Sequence, residues 1–247
     1  AYKRPRHKQC SFNLYVAGML THALAPIAET MGEGGYAAHC RGAGEALLKA
    51  AVRRYWSPDR RMFVDNLPWM REERELRLSD RTLAMSILFG QCPGAETIPA
   101  ANVLATAPAE MGLSYPCNAG WRYWGLARAG RVQPIIDDFR RRWATMRSVV
   151  ENTTIQEDWT APPDSGAQWS HSGVAPLYIA YMDLAGIRPL EPGFRRVAIR
   201  PQLGDLADLS LTAHTVLGPI RFEGRREGGG HRIRVSLPKD VGGEFQG

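Results

Sequence analysis

The sequence predicts a mainly α-helical body followed by a small antiparallel β segment, and three observations carry that reading. Up to Leu184, apolar residues recur at intervals of three and four, the spacing of helices that bury one face. Several of those stretches are almost free of charge, as helices are when a large helical core covers most of their circumference. After Pro189 the pattern changes to alternation with period two, which marks strands with one buried face.

Between Ser11 and Met31, the residues Phe12, Tyr15, Val16, Met19, Leu20, Leu24, Ile27 and Met31 outline the first helix, and Gly32 ends it. Pro26 falls inside this pattern and should kink or split the helix near Ala25, because proline lacks the amide the helix needs. A second helix is predicted over Tyr36 to Trp56, stopped by Ser57-Pro58 and packed on the first as a hairpin. Further helices are expected over Asp80 to Phe89, Thr97 to Ala107, Asn118 to Ala129, Val132 to Val150 and His171 to Leu184, with glycine and proline between them. The strands expected are Arg196 to Arg200, Leu209 to His214, Ile220 to Glu223 and Arg232 to Leu237, with Gly228-Gly229-Gly230 at a hairpin turn. The boundary between the two parts falls near Gly193, in a Pro/Gly-rich linker.

The 247 residues suffice for one large domain, or one domain with an appendage. A composition of 44% hydrophobic and 23% charged residues excludes disordered and collagen-like architectures. Cys10, Cys40, Cys92 and Cys117 are too far apart for a C-x-x-C metal or redox pair, so free thiols or at most one incidental bridge are expected. No run reaches the about 18–20 apolar residues of a membrane span, and no signal peptide is recognisable; with few cysteines this points to the cytoplasm. The net charge of +6 is spread thinly. Arg140, Arg141 and Arg142 are consecutive, so on a helix they point in different directions and form no stripe; the Lys3 to Lys8 arm has no interleaved aromatics. A solvated basic surface is therefore expected rather than a nucleic-acid site.

Helical domains gather binding sites in the loops at the ends of their helices. The loop from Glu151 to Trp159, continuing to Trp169-Ser170-His171, combines carboxylates with indoles. Carbohydrate chemistry uses that pairing, since an indole packs on the C–H face of a sugar while a carboxylate activates water or stabilises an oxocarbenium-like transition state. The same composition also fits an acidic turn with a core-packing tryptophan.

Thr153-Thr154-Ile155-Gln156-Glu157-Asp158-Trp159, then Ser170-His171-Ser172, then the run from Leu184 to Phe194, resemble the closing section of bacterial α-L-rhamnosidases of glycoside hydrolase family 78. Pro201 to Leu206 and Gly218-Pro219-Ile220 resemble that family's C-terminal β domain, and the segments around Val103-Leu104-Ala105, Leu113 to Pro116 and Trp143 fit the same template. The resemblance implies a partial (α/α)6 toroid of the six-hairpin type over residues 1–190 and a small, truncated β-sandwich-like domain over 191–247. It implies inverting hydrolysis of terminal α-L-rhamnosyl residues without metal or cofactor. About seven of the toroid's twelve helices are predicted, so the front of the toroid, with the general acid, is expected upstream. The chain also starts at Ala and stops within what looks like a continuing strand, and so reads as a piece of a longer protein.

The resemblance places Glu157 at the general base and His171 at a sugar-contacting position, with His171 expected to begin a helix. Trp159 is expected against the sugar, or else in the core. Asp80, Asp65 and Trp69 are weaker matches for sugar ligands, while Trp121, Tyr123 and Trp124 read as core. Gln156 departs from the template, which places an aromatic residue just before the base, and this leaves open a different deoxy or neutral sugar. The partner implied is a rhamnose-containing glycoside, with neither nucleic acid nor membrane. The alternative from another class is a non-catalytic scaffold or carbohydrate-binding remnant, which would bind saccharide without cleaving it.

Overall fold

Proline does not split the first helix. In the computed structural model, which describes residues 5–162 and 165–246, α1 (Gln9–Met19) runs through a π-helical turn, Leu20–Leu24, into α2 (Ala25–Thr30). Pro26 sits in the first turn of α2, and the widened turn before it absorbs the amide that proline lacks. Lys3 and Arg4 of the basic arm, and Pro163, lie outside the described residues.

The chain divides into two compact units, one made of Ala1–Ser114 and Trp121–Ala129, the other of Tyr115–Gly120 and Gly130–Gly247. In the first unit, α2 ends in a Schellman motif. Gly32, at φ +79°, donates to Glu29 O at 3.0 Å, and Glu33 donates to Ala28 O at 2.8 Å. This turn leads into α3 (Gly34–Tyr55), which packs on α1. Cys10 and Leu14 from α1 meet Ala51 and Tyr55 from α3, together with Phe63 and Met85, in one buried cluster.

Short strands β1 (Trp56–Ser57) and β2 (Met62–Phe63) pair antiparallel, and one helical turn, α4 (Met70–Glu73), follows. Strand β3 (Leu78–Ser79) then leads directly into α5 (Asp80–Leu88), where Ser79 Oγ caps the helix by accepting from the Thr82 amide at 3.4 Å. Helix α6 (Ile98–Thr106) and strand β4 (Met111–Gly112) come next, with β4 parallel to β3. In α7 (Pro116–Arg128), Tyr123 and Leu126 are fully buried, and a Cβ on Gly125 would come within 2.9 Å of Ala84 Cα. Tyr123 is therefore core, as expected, while Trp121 and Trp124 are half-buried and packed edge-to-face.

In the second unit the helix expected over Val132 to Val150 is broken. It becomes α8 (Gln133–Asp138), a π-turn Phe139–Trp143 and α9 (Arg147–Asn152). The extra residue in the π-turn lets Trp143 enter the core while Arg140 reaches Asp205 and Arg142 reaches Asp138. The last helix also starts later than expected. It comprises α10 (Ala175–Ile179) and the π-turn Ala180–Leu184, with Pro176 in its first turn.

Gly186, at φ +70°, ends the helical part and faces the Arg200 backbone, where a Cβ would lie 2.0 Å from the carbonyl oxygen. Strands β5 (Ile187–Pro189) and β6 (Arg196–Ile199) pair antiparallel there. A meander of β7 (Asp208–Thr215), β8 (Gly218–Glu227) and β9 (Gly230–Ser236) follows, with a turn at Gly228–Gly229 as expected. Strand β10 (Gly242–Phe245) adds to β6 in parallel, so the β part is not wholly antiparallel.

Candidate functional site

The loop between α9 and α10 is anchored at both ends. Across it, the Glu157 amide donates to Ala167 O at 2.7 Å and the Ser170 amide donates to Ile155 O at 2.8 Å. Thr154 Oγ1 adds a bond to Gln168 O at 3.2 Å, so the two limbs run side by side as a short ribbon. Gln156, 2% exposed, clamps the ribbon from within. Its Oε1 accepts from the Ser148 amide at 3.1 Å, and its Nε2 donates to Asp158 O at 2.7 Å. The Glu157 side chain between these anchors is exposed, so a water-accessible carboxylate is carried on fixed backbone.

Trp159 is half-buried. The Arg142 guanidinium lies 4.0 Å over its ring centroid, and Trp143 meets it edge-to-face at 5.3 Å. Arg142 is itself held by Asp138. His171 is exposed and does not begin a helix; it stands four residues ahead of α10. Ser170 Oγ accepts from the amides of Ser172 at 3.3 Å and Gly173 at 3.0 Å, which closes a turn there, and Pro176 favours a start further on. Trp169, which the sequence marks as part of this loop without a role of its own, is 58% exposed. It offers the largest open aromatic surface of the loop, and its neighbour Ser170 is pinned to Ile155. Its place beside His171 was the available signal.

The remaining candidates lie in the first unit. Asp80 is 1% exposed, with Oδ2 accepting from the Ser114 amide at 2.7 Å and Oδ1 from Ser114 Oγ at 2.8 Å. Burial raises its pKa, against the pull of both Ser114 bonds. Asp65 is 2% exposed and accepts from Thr82 Oγ1 at 2.7 Å; burial pushes it up to about 8, so it is protonated at neutral pH. It lines a cavity of about 720 Å³ shared with His7, Glu75, Arg77, Ser79 and Glu110. Trp69 is half-buried, with Arg6 5.3 Å and Arg54 5.4 Å from its ring centroid. Beside it, Glu73 is bound by His7 and Arg6; burial opposes its charge, but its contacts with His7 and Arg6 hold its carboxyl down to about 2. Among the described residues no group of three or more His, Cys, Asp and Glu is placed to hold a metal ion. No described helix is long and apolar enough to cross a membrane.

Residues 186–245 match the family model described as the bacterial alpha-L-rhamnosidase C-terminal domain. No curated protein sequence matches the chain. Among solved structures, the GH78 family rhamnosidase of Bacillus sp. GL1 is 20% identical with a TM-score of 0.77, over 96% of this chain and 26% of that one. The Streptomyces avermitilis alpha-L-rhamnosidase, solved in complex with L-rhamnose, is 20% identical with a TM-score of 0.72, over 94% and 22%. The native Aspergillus terreus rhamnosidase is 19% identical with a TM-score of 0.67, over 93% and 27%. At these identities the likeness is one of fold, and the chain spans about a quarter of the length of the structures it matches. The resemblance seen in the sequence thus holds for the C-terminal segment by sequence and for nearly the whole chain by fold.

Proposed function

We propose that the chain is the C-terminal part of an inverting α-L-rhamnosidase of glycoside hydrolase family 78. Residues 1–190 would form the closing part of the (α/α)6 toroid and 191–247 its β domain. The observation that carries this reading is the family match over residues 186–245, joined to a fold likeness that extends back through the loop bearing Glu157.

In this reading Glu157 is the general base. Its carboxylate takes a proton from a water whose oxygen attacks the anomeric carbon, while the leaving oxygen is protonated by an acid carboxyl about 6.5–9.5 Å away. That acid belongs to the part of the enzyme upstream of this chain. The ribbon's backbone bonds hold Glu157 in place without covering it, as a base that must reach water requires. His171 and Trp159 contribute to the sugar side, with Trp169 as the open apolar wall. Trp69 and Asp80 are the weaker sugar-ligand matches that the resemblance offers in the first unit, where Asp80 fixes the amide and hydroxyl of Ser114.

The test is hydrolysis of p-nitrophenyl α-L-rhamnopyranoside by the product of the full open reading frame, beside the 247-residue chain, with NMR following the anomer released. Release of β-rhamnose by the longer protein alone, lost by orders of magnitude in Glu157→Gln, is the expected result. Near-normal turnover of that variant overturns the assignment. A non-catalytic, saccharide-binding remnant is the second reading, favoured by the family match lying over residues 186–245 and not over the loop that bears Glu157. It predicts binding without release by either protein.

A further inference from the structure

The cavity of about 720 Å³ in the first unit takes no part in the reaction proposed above, and its size falls within the about 300–1,000 Å³ typical of small-molecule sites. Its frame is built from hydrogen bonds within the chain. Asn66, fully buried, donates from Nδ2 to Glu75 O at 2.7 Å and accepts at Oδ1 from the Arg77 amide at 2.8 Å. The Asp65 amide donates to Arg77 O at 3.0 Å, and the Leu78 amide donates to Glu110 O at 3.2 Å, which fastens this loop to the segment carrying β4. A frame preformed in this way loses little freedom when a ligand binds.

The lining is graded in polarity. Buried Asp65, Ser79 and His7 form the inner end, Leu78, Met111 and Leu113 supply apolar wall, and exposed Glu75, Arg77 and Glu110 stand at the mouth. Ser79 Oγ is engaged as the cap of α5, and His7 Nε2 is held by Glu73. Asp65 differs from both. Thr82 Oγ1 bonds its Oδ1 at 2.7 Å, and among the described residues nothing bonds Oδ2. A carboxyl that is 2% exposed, lines a cavity and has one oxygen unused calls for a ligand that can bond it. At the mouth Arg77 is paired with Glu75 at 3.3 Å, whereas Glu110 has no cation partner among the described residues, so the charge left over is negative. Around Asp65, α5 presents Asp80 and Arg81, α1 presents Cys10 and α3 presents Tyr55. Burial outweighs them all and keeps the Asp65 carboxyl protonated at neutral pH.

We propose that this cavity binds a primary organic ammonium ion, with the ammonium group on Asp65 Oδ2 and an apolar body against Leu78, Met111 and Leu113. Binding exchanges one proton for one cation: the Asp65 O–H bond breaks, its proton passes to solvent, and an N–H of R–NH3⁺ donates to the carboxylate left behind. The pair formed is a charge-assisted hydrogen bond in a largely water-excluded site, and the Glu110 carboxylate draws the cation to the mouth. A quaternary ammonium has no N–H to donate, a neutral sugar displaces no proton, and an anion meets two carboxyl groups. The inference stands apart from the rhamnosidase reading, since it uses neither Glu157 nor the α9–α10 loop.

The experiment is isothermal titration calorimetry of the 247-residue chain with benzylammonium chloride, beside benzyl alcohol, benzyltrimethylammonium chloride and L-rhamnose. Runs at pH 7 in phosphate and in HEPES, whose ionisation enthalpies differ, should show release of about one proton per benzylammonium bound. Affinity should rise roughly fiftyfold between pH 6 and pH 8.5, as the proton to be displaced is held less firmly. Asp65→Asn, which keeps an acceptor for Thr82 Oγ1, should lose the proton release and about tenfold or more in affinity, with its thermal unfolding showing that it is folded. Glu110→Gln, at an exposed position, should weaken binding about twofold to threefold, an effect that salt removes. No binding at millimolar benzylammonium, binding without proton release, or unchanged affinity in Asp65→Asn overturns the proposal. Binding of any of the three other probes as tightly as benzylammonium overturns it too. The parent's proton release decides the matter even if the Asp65 variant does not fold, and no turnover is needed, so failure here is distinct from failure of the rhamnosidase reading.

Discussion

Replacing Asp65 by Asn should change how stability depends on pH. Burial holds this carboxyl at about 8 against an ordinary 3.8, with Thr82 pulling the other way and Asp80 adding to the rise. Between about pH 4 and 8 the folded chain therefore keeps a proton that the unfolded chain releases, and stability falls as pH rises through that window. The interval is about four pH units at about 1.36 kcal/mol each, so ionising Asp65 costs the fold at most ~5–6 kcal/mol. Asn keeps an acceptor for Thr82 Oγ1 and cannot ionise. Urea unfolding of both proteins at pH 5 and pH 8.5 reads the loss of this group together with its coupling to Asp80. The stability difference between variant and parent is expected to shift in the variant's favour by about 4 kcal/mol between pH 5 and pH 8.5, the share of the window that lies above pH 5. An equal difference between the two proteins at both pH values refutes the reasoning.

Gly186→Ala should be severely destabilising, by more than about 3 kcal/mol, because it combines a left-handed φ with a Cβ inside the Arg200 carbonyl; thermal unfolding reads it directly. Gln156→Ala removes two bonds from the loop's interior and should cost about 1–3 kcal/mol, with faster amide exchange at Ser148 as the local readout. Glu73→Gln should flatten the acid limb of the stability profile. The parent loses the stabilisation of the Glu73 clasp as pH falls from the ordinary carboxylate range toward about 2, and the variant has none to lose. On the proposed rhamnosidase reading, Trp169→Ala in the product of the full open reading frame should raise KM for p-nitrophenyl α-L-rhamnopyranoside without lowering the melting temperature, since the indole is exposed.

Helix positions and the switch to strands were legible because burial imposes period on sequence. Leu14, Tyr55 and Met85 belong to one buried cluster, and the meander from Asp208 to Ser236 formed where alternation indicated. The π-turns were not legible, because a one-residue insertion leaves apolar spacing nearly intact; what sets them is where Trp143 and its arginines find partners. Strand β10 escaped notice because Gly242 and Gly243 carry no side chains to alternate, and its pairing with β6 is a long-range backbone event. In the α9–α10 loop, exposure could not be read from composition. Trp159 and Trp169 are equivalent as letters, and only the contacts of Arg142 and Trp143 separate a held indole from an open one.

Gln156 shows how a departure from a family pattern acquires a physical meaning. The aromatic residue that the family template places just before Glu157 could not satisfy the Ser148 amide and the Asp158 carbonyl together. Gln156 does both from a buried position, and so replaces a ring with a brace inside the ribbon. The apolar surface given up at that position reappears on the same ribbon at Trp169, on the limb paired with Ile155. Gln156 also lines the cleft that Arg141, Arg142 and Trp159 share, so the residue that braces the backbone of Glu157 shapes that side of the loop as well. Substitutions at Gln156 should therefore loosen the backbone around Glu157 and reshape the cleft wall together, read as faster amide exchange at Ser148 with altered indole N–H shifts of Trp159.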